Sequence, residues 1–91
     1  MDIHGAIKAA KDQVKGIFAE ENISNIGLEE IERNQEDKIW IITIGFSRPW
    51  DEPDDRSAII IGRKKPRTYK VITLSEDDGR MLSIKNRSVE N

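Results

Sequence analysis

Residues 38–46, Lys-Ile-Trp-Ile-Ile-Thr-Ile-Gly-Phe, are the most apolar run in this chain and the strongest constraint on its fold. β-Branched and aromatic residues bounded by polar stretches read as a buried central strand, because stiff branched side chains suit a pleated surface. Period-two alternation divides the run into two faces. Trp40, Ile42, Ile44 and Phe46 fall on one, and Ile39, Ile41, Thr43 and Gly45 on the other. The first set is bulky enough to pack on a helix. The second is only half apolar, and its environment is left open.

The helix to cover it precedes it. Ile3, Ala6, Ile7, Ala10, Val14, Ile17 and Phe18 recur at spacings of three and four, which predicts an amphipathic helix over residues 2–20. Asp2 is placed as its N-cap. Gly16 interrupts the pattern, and a close approach to the sheet would account for it.

The remaining segments read as strands. Residues 24–33 form the first, with Ile26, Leu28 and Ile31; the alternation slips by one between Leu28 and Ile31, with Gly27 nearby, which predicts a β-bulge or a strong twist. Asn34-Gln35-Glu36-Asp37 is a polar turn into the central strand. Residues 47–56 form a long loop with two prolines and a cluster of acids. Residues 57–62 read as a short strand, Arg63 to Arg67 as a basic turn, and residues 68–75 as an alternating strand. The turn Glu76-Asp77-Asp78-Gly79 leads into a last strand over 80–87, followed by a tail at 88–91. One helix followed by four or five strands joined by short turns implies a single α+β domain spanning residues 1–91. Its helix packs on a curved antiparallel meander built from residues 24–87.

Composition narrows the chemistry. There is no cysteine, and the single histidine, His4, lies next to the N-terminus with no catalytic partners around it. Thiolate chemistry, Ser-His-Asp hydrolysis and zinc ligation therefore lack their residues. Asp51, Glu52, Asp54 and Asp55 supply hard oxygen ligands, but their spacing matches no ligand loop and Pro53 stiffens the middle. No glycine opens a phosphate-cradling motif. The reading is of a protein that is not an enzyme and holds no cofactor or metal. No basic n-region, apolar h-region or membrane-length run is seen, which sets the expectation of a cytoplasmic protein.

Binding is what remains. Charged residues make up 35% of the chain, unevenly: residues 1–55 carry 13 acids and 6 bases, residues 56–91 carry 4 acids and 9 bases. The two halves can neutralise each other within one fold, or the imbalance can draw in an acidic partner or a second copy. Two features point to a protein interface. One is Arg48-Pro49-Trp50, since Trp and Arg dominate interface hot spots. The other is the second sheet face, assigned as Ile39, Ile41, Ile72 and Leu74 with Met81, because one helix cannot cover both faces of a sheet; the alternative is that the segment 57–62 or the long loop folds across it. An alternative is nucleic-acid binding through the basic turn, with Arg63, Lys64, Lys65 and Arg67 for phosphates and Tyr69 for stacking. The acidic whole, of pI about 5.4, weighs against that alternative.

The order of elements resembles the cystatin-like superfold and is similar to small PepSY-type domains. The resemblance is carried by the leading helix with Ala6, Ala9 and Ala10, by Trp40-Ile41-Ile42, and by Tyr69-Lys70-Val71-Ile72 followed by Asp78-Gly79 and a final strand. It covers most of the chain as element order. The glutamine-valine-glycine loop of true cystatins is missing, so the resemblance does not carry protease inhibition. It implies a binding or regulatory module without catalysis. The expectation is thus a small bacterial-type module that binds another protein or itself, with a homodimer as one form.

Overall fold

The computed structural model describes residues 1–49 and 67–87. Within them, helix α1 (Ile3–Ile17) is followed by a short 3-10 turn (Ala19–Glu21). Four strands follow: β1 (Ser24–Asn34), β2 (Ile39–Ser47), β3 (Thr68–Ser75) and β4 (Met81–Asn86). They form one antiparallel sheet in the order β1-β2-β3-β4, an α+β arrangement of one helix on an open meander. The strand expected at 57–62, most of the 47–56 loop and the 88–91 tail lie outside the described residues.

Local chemistry accounts for the boundaries. The Asp2 carboxylate accepts the Gly5 N–H at 2.7 Å, satisfying one of the free donors at the start of α1. At the other end the Phe18 N–H still reaches the Val14 carbonyl, and Asn22 in the left-handed region (φ 51°) then breaks the chain direction. The regular helix therefore stops at Ile17, and the residues expected to finish it tighten into the 3-10 turn. In the β1–β2 turn, Asn34 Oδ1 accepts the Asp37 N–H at 3.1 Å, and Lys38 takes a positive φ of 53°. In the β3–β4 turn Gly79 supplies φ 72°, a conformation that glycine adopts without strain. The β1–β2 register shifts between Leu28 and Glu30, and again between Ser24 and Gly27, which is the bulge that the broken alternation implied.

The core lies between α1 and one face of the sheet. Ala6, Ala10 and Val14 from α1, Trp40, Ile42, Ile44 and Phe46 from β2, and Ile72 and Leu74 from β3 are all buried. Small residues on the helix let its axis approach the sheet, while the bulk comes from β2. Full burial of each large side chain contributes about 1.5–3 kcal/mol. Phe18, Ile23, Ile26, Ile31, Met81 and Ile84 close the margin. Ile3 and Ile17, expected on the buried stripe, are 43% and 47% exposed, so the stripe is buried only over its middle, at Ala6, Ala10 and Val14. Gly16 has no atom near its missing side chain, so close approach to the sheet does not explain it.

Candidate interaction surface

Residues directly opposed across an antiparallel pair share a face of the sheet. Ile42 opposes Ile72 and Trp40 opposes Leu74, so Ile72 and Leu74 belong to the face under α1, where both are fully buried. Met81 opposes Leu74 and packs at the margin of the same core. This corrects the sequence-based grouping of Ile72 and Leu74 with Ile39 and Ile41. Alternation within β3 was right, but the register assigns its two faces the other way round.

The face away from α1 is built in cross-strand rows. Ile39 stands opposite Ser75, Ile41 opposite Thr73, Thr43 opposite Val71 and Gly45 opposite Tyr69. From β1, Glu30 and Glu32 join at Thr43 and Ile41; from β4, Ser83 and Lys85 join at Thr73 and Val71. Ile39, Ile41, Tyr69, Val71 and Thr73 are half-buried, and none belongs to the core cluster or its margin. Thr43, in the middle, is only 4% exposed. The result is a shallow aliphatic strip flanked by carboxylates on the β1 side and an ammonium on the β4 side. Tyr69, Val71 and Thr73 were missed as members of this strip. Their alternation was visible, but no local signal tied it to that of Ile39 and Ile41.

The other sequence-derived candidates are engaged within the fold or fall outside the described residues. The Arg48 guanidinium lies 5.2 Å from the Phe18 ring and 5.6 Å from the Phe46 ring, and its Nε is 3.4 Å from Glu21 Oε1. The side chain therefore closes the end of the core next to the tilted Phe18–Phe46 pair, whose centroids are 5.1 Å apart. Arg67 Nη2 donates to the Asn25 carbonyl at 2.8 Å, and its Nε sits 3.6 Å from Glu29 Oε1. Both Arg67 and Glu29 lie over Gly45, where a side chain would collide with them. Tyr69 is covered by the Arg87 guanidinium at 5.1 Å. Lys70 bonds Asn86 and stands over the Phe18 ring. Trp50, Arg63, Lys64 and Lys65 lie outside the described residues, as does the acidic loop 51–55.

A groove of about 460 Å³ opens at the end of α1, lined by Lys15, Phe18, Ala19, Asn22, Ile23 and Ile26. It is wide open to solvent and has few polar groups for orienting a small molecule, which ligand sites need. Among the described residues, no helix is long and apolar enough to cross a membrane. Comparison with protein-family models, with curated proteins and with solved structures finds no match to this chain.

Proposed function

We propose that this chain is a small non-enzymatic binding or regulatory module, cystatin-like in arrangement, that docks another protein or a second copy of itself on the face of the sheet away from α1. The reading rests chiefly on the half-buried strip of Ile39, Ile41 and Val71, which α1, packed on the opposite face, does not cover. Apolar surface grouped in this way and rimmed by charge is the usual character of a protein interface. Arg48, expected to anchor a partner, is better explained as a lid on the Phe18–Phe46 end of the core.

Light scattering and sedimentation of the full chain test this. Ile41→Lys places an ammonium in the strip while leaving the core intact. It should abolish docking of a purified partner, or of a second copy, on that face, and shift stability by no more than about 1 kcal/mol. Docking on that face unchanged in the variant would overturn the reading. Nucleic-acid binding has less support, because Arg67 is held by Asn25 and Glu29 and the Tyr69 ring is covered by Arg87. Binding to single-stranded RNA at low salt, weakened by Lys64→Glu, would favour it instead.

A further inference from the structure

The strand order leaves β1 and β4 as the two edges of the sheet among the described residues. Four alternating strands make β1 and β4 run in opposite directions. A second copy displaced sideways along the sheet therefore brings its β1 antiparallel to the β4 of the first, continuing the same ladder. Edge strands with unpaired N–H and C=O groups are templates for such pairing unless something blocks it.

The charges on the two edges select between ways of pairing. Glu30, Thr43, Val71 and Lys85 form one continuous cross-strand row on the face away from α1. The row begins with an exposed carboxylate at one edge and ends with an exposed ammonium at the other. Among the described residues neither Glu30 nor Lys85 takes part in an ion pair. Glu32 adds a second acid to the β1 edge, and Arg80 and Arg87 flank β4 with further positive charge. A two-fold pairing of β1 with β1 sets carboxylates against carboxylates, and β4 with β4 sets cations against cations. Only β1 against β4 places opposite charges side by side, which stabilises a cross-strand pair, whereas like charges destabilise it. The bulges confine the regular part of β1 to Glu30–Asn34, about the length of β4 (Met81–Asn86).

We infer that this chain self-associates head to tail, the β1 edge of one copy adding to the β4 edge of the next with Glu30 beside Lys85 of its neighbour. The inference goes beyond the sheet-face reading above: the contact runs along the edges of the sheet, and the partner is a second copy. An interface of this kind does not close on itself as a two-fold dimer does. It yields rings or open chains whose length grows with concentration.

Sedimentation velocity at low and high salt over a wide range of protein concentration tests it with four forms: wild type, Glu30→Lys, Lys85→Glu, and the double variant. Wild type should form a concentration-dependent series of species at low salt that shortens as salt screens the edges. Each single reversal should weaken association about tenfold or more, in line with a change of about 1.4 kcal/mol per interface. The double variant should restore it, and so should an equimolar mixture of the two single variants, since each then offers the edge that the other lacks. Circular dichroism should show all four equally folded. A monomer at every concentration, a discrete dimer indifferent to both reversals, or a double variant no better than the singles would overturn the inference. Association abolished by Ile41→Lys but untouched by the charge reversals would overturn edge pairing while leaving the sheet-face reading in place.

Discussion

Arg33 and Glu76, 43 positions apart, pair across the face of Trp40. Arg33 extends from the β1 edge, its guanidinium 5.7 Å from the indole ring, and Glu76 waits in the β3–β4 turn. The pair closes the end of the core opposite to the one that Arg48 closes. Exposed ion pairs of this kind are worth about 0–1 kcal/mol, so Glu76→Gln should destabilise by no more than that. Arg33→Ala should cost more, because the aliphatic stem and the cation over Trp40 go with it. Urea denaturation followed by tryptophan emission measures both, and equal effects from the two variants would show that the Trp40 contact is inert.

Gly16→Ala should stabilise the chain. The position is helical and nothing lies near the missing side chain, so the gain in helix propensity of about 0.5–1 kcal/mol meets no steric opposition. For a domain of this size, 1 kcal/mol raises Tm by about 4–8 °C, which calorimetry resolves readily.

Gly45→Ala should do the opposite. A Cβ there would sit 2.9 Å from Glu29 Oε1 and 3.1 Å from Glu29 Cγ, with Arg67 Nη2 at 3.0 Å. The Glu29–Arg67 pair would have to leave its place over the β1 bulge, at about 1–2 kcal/mol, typical of mild overpacking. Gly27→Ala meets only Arg67 Nη2, at 3.8 Å, and serves as the control, expected within about 0.5 kcal/mol of wild type.

Ile72→Ala and Ile41→Ala test the register directly. Ile72 is fully buried under α1 and its truncation should cost about 2–5 kcal/mol. Ile41, half-buried on the other face, should lose about 1 kcal/mol or less. Equal losses would mean that the two residues share a face.

The β3–β4 turn should loosen in acid. Asp78 Oδ1 accepts the Arg80 N–H at 2.9 Å, and that bond, helped by the charge of Arg80 and a bond with Ser75, holds its carboxyl below the ordinary value of 3.8. A folded-state pKa lower than the unfolded one contributes stability that is present above about pH 4 and is lost as pH falls through the folded value. Wild type should therefore lose more stability between pH 5 and pH 2 than Asp78→Asn does; identical acid limbs would show that the turn bond is thermodynamically silent.

Much of this architecture is written locally. The stripe from Ala6 to Val14, the Asp2 cap, the two polar turns, the bulge near Gly27 and the core-facing set Trp40, Ile42, Ile44 and Phe46 all follow from spacing and side-chain type, because each depends on neighbours within a few residues. The face of β3 does not. Short turns set the β1–β2 and β3–β4 registers, but residues 48–67 separate β2 from β3, and no tight turn dictates how those strands align. Alternation defines two faces for β3 and is silent on which is buried. Only the pairing of Ile42 with Ile72 decides that, and it removes Ile72 and Leu74 from the surface. In the same way, spacing marks Arg48 and Arg67 as cations but cannot show that Phe18, Glu21, Asn25 and Glu29 are folded against them. What the chain alone determined is a helix, strands and one buried face. The tertiary structure decided which apolar residues are left half-buried on the face away from the helix, and it aligned Glu30 and Lys85 at opposite ends of one row.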